Sequence, residues 1–129
     1  MGGDPVKGVF DTNILIDYLN GHAPAAAEFS KHTDKIIRRV TWMEVMVGVQ
    51  PADEPAVRSF LGMFTIAELS PAISEEAVRI RKTKSKIKLP AAIIYATAKL
   101  ESCALLTRNT GDFDATARDV IAPHTLSPP

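Results

Sequence analysis

The sequence has few of the features that mark secreted or membrane-bound proteins. Its single cysteine, Cys103, cannot form an internal disulfide, which fits a reducing compartment. No apolar stretch approaches the ~20 residues that are needed to span a bilayer. The N-terminus lacks the basic-then-apolar layout of a signal peptide. We therefore expect a cytoplasmic protein without a membrane segment.

An excess of charge of one sign is also absent, since 15 Lys and Arg residues balance 15 Asp and Glu residues. The global charge therefore offers no argument for nucleic-acid binding. Residues 79–88 are the exception. This run contains six basic residues and no acidic one: Arg79, Arg81, Lys82, Lys84, Lys86 and Lys88. It fits either a solvated helix end that complements the helix dipole or a surface that contacts phosphates.

The chain of 129 residues is the size of one domain, which we place at 1–129. The hydrophobic pattern predicts strands at residues 7–10, 35–40, 65–69, 104–107 and 119–122. It predicts helices at 13–19, 24–31, 41–49 and 91–101, with two more that begin at Asp53 and Ser70. Alternating strands and helices indicate an α/β domain with a central, mainly parallel sheet flanked by helices.

Three carboxylates share a position near the carboxyl ends of predicted strands. Asp11 ends the first strand, Glu44 falls in the first turn of the helix after the second, and Asp112 follows the strand that ends at Thr107. Parallel neighbours would bring all three to one edge of the sheet. Converging carboxylates repel one another unless a cation lies among them, and hard oxygen ligands suit Mg²⁺ or Mn²⁺. The sequence therefore predicts a divalent metal site.

Each of these residues also has a purely structural explanation. Asp11 and Asp112 could accept backbone hydrogen bonds at turns. Thr41-Trp42-Met43-Glu44 matches a capping box, in which the glutamate reaches back to the N–H of Thr41. We expect Asp17 on the helix surface and Asp114 in a loop near the site.

Four segments carry polar residues in a recognisable order and spacing. They are Phe10-Asp11-Thr12-Asn13-Ile14-Leu15-Ile16-Asp17, Thr41-Trp42-Met43-Glu44-Val45, Lys88-Leu89-Pro90 and Leu106-Thr107-Arg108-Asn109-Thr110-Gly111-Asp112-Phe113. Together they resemble a PIN domain, and within that family the VapC-like toxins of bacterial toxin–antitoxin modules. The resemblance covers nearly the whole chain and rests on the order of the segments. It implies a three-layer α/β sandwich.

The resemblance also implies a metal-dependent endoribonuclease. Asp11, Glu44 and Asp112 match the acidic catalytic and metal-binding residues of the family, and Asn13, Thr107 and Asn109 match its polar support. A Mg²⁺ or Mn²⁺ ion would activate water and offset charge on the phosphodiester. The family further implies a homodimer, a cognate antitoxin protein and an RNA substrate. We assign RNA contacts to part of the basic run: Arg79, Lys82, Lys84 and Lys86.

One position departs from the family pattern. Ala91 follows Leu89-Pro90 where the family normally has Asp, the remaining member of its acidic set. We interpret Ala91 as a deliberate inactivating substitution, with natural drift as the alternative, because an active toxin harms the cell that makes it. A second hypothesis is a naturally inactive PIN domain that binds RNA or a partner protein without cleavage. A phospho-receiver domain fits poorly, since the chain lacks the expected mid-chain aspartate and late lysine.

Overall fold

The computed structural model describes residues 6–84, 86–109 and 120–121. The strands are β1 (Lys7–Phe10), β2 (Asp34–Arg38), β3 (Thr65–Ala67), β4 (Ala104–Leu106) and β5 (Val120–Ile121). The helices are α1 (Thr12–Leu19), α2 (Ala23–Phe29), α3 (Arg39–Val47), α4 (Glu54–Leu61), α5 (Pro71–Thr83) and α6 (Leu89–Leu100), with a 3-10 turn at Pro51–Asp53. Within these ranges no helix combines the length and apolarity that crossing a membrane demands.

The five strands form one sheet in the order β3-β2-β1-β4-β5, and every neighbouring pair is parallel. Val9 in β1 is the partner of Ile36 on one side and of Leu105 on the other. After β1, the chain adds β2 and β3 on one side of that strand and then adds β4 and β5 on its other side. This order confirms the predicted parallel sheet and places a topological switch point between β1 and β4.

Helices cover both faces of the sheet, which confirms the three-layer α/β sandwich. Adjacent residues of a strand point to opposite faces, so each central strand contributes to two hydrophobic clusters. One cluster packs against α5 and α6, and the other packs against α1, α2, α3 and α4. The central strands contribute Val9, Ile36 and Leu105 to the first cluster, and Phe10, Ile37 and Leu106 to the second.

The start of α3 differs from its prediction. The helix begins at Arg39, two residues before the predicted start at Thr41, and its N-cap is Arg38 without a side-chain capping bond. Thr41 is therefore inside the helix and fully buried. The capping-box explanation for Glu44 is wrong for this reason, and Glu44 lies in the second turn rather than the first. The Ser70 cap of α5 is confirmed by its Oγ, which accepts from Ile73 N at 3.2 Å.

Gly8 allows β1 to pack closely against its neighbours. A Cβ at this position would lie 2.7 Å from Leu106 Cδ1 and 2.8 Å from His32 Nδ1, and both side chains are buried. We expect Gly8→Ala to lower the free energy of unfolding by about 1–3 kcal/mol through overpacking. Urea denaturation would measure this change.

The matched control is Gly48→Ala, because the nearest atom to a Cβ there is Val45 O at 3.8 Å. This variant should change stability by less than about 0.5 kcal/mol. Equal losses in the two variants would contradict the packing explanation for Gly8.

Candidate functional site at the switch point

The candidate site lies where β1 and β4 end side by side. Asp11 follows β1, and Thr107, Arg108 and Asn109 follow β4. The backbone N–H of Asp11 donates to Leu106 O at 2.9 Å, which continues the pairing past the end of the strands. In open α/β sheets, ligands bind outside the carboxyl ends of the strands at such a switch point.

The Asp11 carboxylate is held from two sides. As the N-cap of α1, its Oδ1 accepts from the backbone N of Thr12 at 2.9 Å. Its Oδ2 accepts from Thr107 Oγ1 at 2.8 Å and from Asn13 Nδ2 at 3.4 Å. Asp11 therefore makes the backbone contact that the structural alternative proposed. It also makes contacts to the loop after β4, which helix capping alone does not require.

The predicted polar support residues come together around Asp11. Asn13 Oδ1 accepts from the backbone N of Arg108 at 3.1 Å, and Thr107 Oγ1 accepts from the backbone N of Asn109 at 2.9 Å. Thr107 is fully buried. These bonds fix the loop after β4 against the first turn of α1. Asn109 takes part in this network through its backbone N–H.

Thr12 connects Asp11 to Glu44. Its backbone N–H donates to Asp11, and its Oγ1 donates to Glu44 Oε1 at 2.6 Å. Thr12 Oγ1 also lies 3.1 Å from Thr41 Oγ1, so the earlier start of α3 brings a buried hydroxyl into the same network. The structure thus places two of the predicted carboxylates on either side of one threonine. Thr12 was not among the predicted site residues, although it lies between Asp11 and Asn13.

The guanidinium of Arg38, which was also not among the predicted site residues, completes the described surroundings of Glu44. Arg38 Nη2 lies 3.6 Å from Glu44 Oε1, and Arg38 Nη1 donates to Pro90 O at 3.5 Å. The Arg38 side chain is 13 % exposed. Its Nε is buried without a hydrogen-bond partner among the described residues. The alternation of β2 around Ile36 was the available signal, since it directs residue 38 toward α6.

Ala91 lies in the first turn of α6, one residue beyond the carbonyl that Arg38 contacts. It is half-buried and packs against the cluster beneath α5 and α6. The first turn of α6 contains no acidic residue, and Lys88 at its N-cap makes no side-chain capping bond. A helix start is a favourable place for a carboxylate. Position 91 therefore lies at the same edge as the two carboxylates and adds no oxygen ligand to it.

The described donors fit a divalent cation only in part. Asp11 and Glu44 supply carboxylate oxygens of the kind that Mg²⁺ or Mn²⁺ prefers. Asp112 and Asp114 lie outside the described residues. Across residues 6–84, 86–109 and 120–121, no three His, Cys, Asp or Glu side chains form a group that could hold a metal. The described site thus has two carboxylates and one nearby positive side chain, the guanidinium of Arg38.

Asp17 is buried, and its predicted surface position is wrong. It is 2 % exposed and accepts from Arg108 Nε at 2.7 Å and Nη2 at 3.2 Å. This bidentate pair joins α1 to the loop after β4. Its role is to hold the site together, and the sequence could not suggest it because the two residues are far apart along the chain.

The basic run of residues 79–88 extends from α5 to the start of α6. Arg79 forms an ion pair with Glu76, and this contact lowers the pKa of the glutamate and raises the pKa of the arginine. Lys84 Nζ lies 5.2 Å from the ring centroid of Tyr95. Lys82 and Lys86 are exposed. The positive charge of Arg79 is thus partly compensated, whereas the exposed lysines remain accessible to solvent.

A groove of about 500 Å³ adjoins the site on the side of α1, α3 and α4. Glu44 forms part of its wall. The rest of the wall mixes apolar side chains, among them Ile16, Leu19, Val45 and Val49, with the polar side chains of Asn20, Gln50 and Asp53. Ile16 and Leu19 are partly exposed to solvent.

Comparison with known proteins identifies the family. Residues 8–119 match the PIN domain, and the chain belongs to that family. One chain of a toxin–antitoxin complex from Klebsiella pneumoniae is 41% identical in sequence to this protein. The two superpose with a TM-score of 0.83, and the match covers 92% of this chain and 99% of that one. The predicted family resemblance is confirmed. A search of the curated proteins found no match.

More distant solved structures share the fold. A chain from the structure of FitAB bound to an IR36 DNA fragment is 25% identical to this protein and has a TM-score of 0.74. The match covers 93% of this chain and 97% of that one. A chain of VapBC2 from Rickettsia felis, bound to a DNA fragment from its promoter, is 18% identical to this protein and has a TM-score of 0.72. The match covers 90% of this chain and 96% of that one.

The Asp17–Arg108 pair leads to a stability prediction. Arg108→Ala would leave the Asp17 carboxylate buried without this guanidinium. We expect a loss of about 2 kcal/mol in the free energy of unfolding, less than for a fully buried pair because the Arg108 side chain is 29% exposed. The control is Arg39→Ala, which removes an exposed pair with Glu68 and should therefore lower the free energy of unfolding much less than Arg108→Ala does. Similar losses in urea denaturation would contradict the larger contribution expected of the buried pair.

Proposed function

We propose that this chain is the toxin component of a toxin–antitoxin module, an endoribonuclease whose activity is impaired by Ala91. The observation that carries the proposal is the placement of Asp11 and Glu44 on either side of Thr12 at the switch point. The PIN family and the 41% identity to a chain of a toxin–antitoxin complex support it. We assign catalysis to Asp11, Glu44 and Asp112.

PIN-domain nucleases generally use divalent metals, and Mg²⁺ or Mn²⁺ is the cofactor we propose. Asp11 and Glu44, with Asp112, would hold the ion. When bound, such an ion lowers the pKa of water and offsets charge on the phosphodiester. The protein's own contribution is orientation. Thr107 and Asn13 hold the Asp11 carboxylate, and Thr12 holds that of Glu44.

The proposed substrate is RNA, and the exposed lysines of the basic run are the proposed contacts to its phosphates. The run ends at Lys88, directly before α6, so it leads toward the edge that carries the site. Cytoplasmic RNA would be the natural target of such a toxin. We also retain the family expectation of a homodimer.

The proposed protein partner is a cognate antitoxin. The groove beside Glu44 combines apolar side chains with the carboxylates of Glu44 and Asp53. A segment with apolar side chains and an adjacent positive charge would complement both parts. Occupation of this groove would block access of RNA to Glu44, so an antitoxin bound there would inhibit the toxin without any change in the fold.

The second candidate is a naturally inactive PIN domain that binds RNA or a partner without cleavage. The observation that favours it is Ala91, which packs against the hydrophobic cluster and adds no ligand at the edge of the site. Both candidates share the fold and the basic run, so binding of RNA does not separate them. Restoring a carboxylate at position 91 does.

We predict that Ala91→Asp restores divalent-metal binding and ribonuclease activity. Position 91 lies in the first turn of α6, where free N–H groups and the helix dipole favour a carboxylate, so stability should change little. A further charged ligand should raise the occupancy of a site that relies on few carboxylates. The measurements are Mn²⁺ affinity by calorimetry and cleavage of total bacterial RNA.

The control for this experiment is Asp11→Asn in the Ala91→Asp background, which should abolish cleavage while the fold remains. If Ala91→Asp is folded but neither binds Mn²⁺ more tightly nor cuts RNA, the impaired-nuclease proposal fails. The naturally inactive binding module would then be the better description.

We predict that replacing Lys82, Lys84 and Lys86 together by Ala weakens RNA binding and flattens its dependence on salt. Each lost phosphate contact should lower the salt slope by roughly one counterion. The measurement is affinity for a single-stranded RNA across a range of salt concentrations. An unchanged slope in the triple variant would identify the run as a solvated helix end.

A further inference from the structure

Arg38 places a positive charge between Glu44 and the start of α6. It ends β2, and the alternation of the strand directs its side chain to the same face as Ile36, which α5 and α6 cover. Its guanidinium contacts Glu44 Oε1 at 3.6 Å through Nη2 and Pro90 O at 3.5 Å through Nη1. Ala91 is the next residue along the chain.

The guanidinium is held loosely for a group that is 13 % exposed. Charge-assisted hydrogen bonds of arginine are usually near 2.7–2.9 Å, and both contacts of Arg38 are much longer. Its Nε has no partner among the described residues. The Glu44 oxygen that faces Arg38 also accepts from Thr12 at 2.6 Å. Arg38 thus lies beside a carboxylate that is already engaged.

We propose that Arg38 is the resident counter-cation of the acidic site and competes with a divalent cation for Glu44. The inference rests on the proposed function, since it concerns the metal site assigned there. A divalent ion held by Glu44 would share this carboxylate with the guanidinium 3.6 Å from its Oε1, and the two positive charges would repel one another. Ala91 offers no negative charge to offset this repulsion. Arg38 therefore favours the metal-free site.

The test measures Mn²⁺ affinity of the full chain by calorimetry in three variants. Arg38→Gln should bind Mn²⁺ about tenfold more tightly, the order of effect for removing a unit charge near a divalent ion at a partly exposed site. Arg38→Lys keeps the charge and should stay within about threefold of the parent. Arg39→Gln makes the same charge change at the adjacent, exposed residue, which pairs with Glu68, and should also leave the affinity nearly unchanged.

Glu44→Gln tests whether the competition acts through Glu44. The double variant Arg38→Gln with Glu44→Gln should lose the gain in affinity. A folded Arg38→Gln variant with unchanged Mn²⁺ affinity overturns the inference, as does a gain that persists without the Glu44 carboxylate. Circular dichroism and thermal unfolding establish that each variant is folded.

The same comparison is made in the Ala91→Asp background, which provides a measurable affinity if the parent binds too weakly. If Ala91→Asp cuts RNA and Arg38→Gln has no effect on Mn²⁺ affinity in either background, the inference fails alone. If Arg38→Gln tightens Mn²⁺ binding and no form cuts RNA, the proposed function fails and the counter-cation role of Arg38 stands.

Discussion

The parallel pairing of β1 with β4 is the constraint on which the candidate site depends. It brings Asp11 and Thr107, which are distant in sequence, within 2.8 Å of each other through Asp11 Oδ2 and Thr107 Oγ1. The backbone bond from Asp11 N to Leu106 O extends this pairing beyond the strands, so both loops leave the sheet in register. Gly8 contributes to the same arrangement, because a larger residue would meet Leu106 and His32 at close range. The change in strand order between β1 and β4 sets the location of the candidate site, and the pairing of these two strands positions its side chains.

Three consecutive residues, Asp11, Thr12 and Asn13, connect the candidate site to the elements around it. Asp11 caps α1 and contacts the loop after β4, Thr12 reaches Glu44 on α3, and Asn13 accepts from Arg108. One short segment thereby ties three elements of the fold to a single edge. A shift of α1 by one residue would break all of these contacts together, since each depends on the direction of its own side chain. The Asp17–Arg108 pair restrains such a shift from the next turn of the helix.

The parts of the fold that follow local patterns could be predicted from the sequence. Strand β1 and the Ser70 cap of α5 have strong periodic or capping signals, and both agree with the structure. The start of α3 could not be predicted this way, because Arg38 caps the helix without a side-chain oxygen while Thr41 resembles a cap. The surroundings of Asp17 and Arg38 were missed for a different reason. Asp17 is contacted by Arg108 in the loop after β4, and Arg38 by the start of α6 as well as by Glu44, and only the tertiary fold brings that loop and α6 near.

The charge balance of the site is the physical basis of the role proposed for position 91 in the first turn of α6. The described site holds the carboxylates of Asp11 and Glu44 and the guanidinium of Arg38, which together leave one negative charge. A carboxylate at position 91 would raise the net negative charge of the site from one to two. It would lie at a helix start, where negative charge is favoured. The attraction for a divalent ion scales with this net charge as well as with the number of ligands. In the proposed metal site, a single substitution at position 91 would therefore change cation binding strongly, while the parallel sheet and the Asp11 network that build the site stay the same.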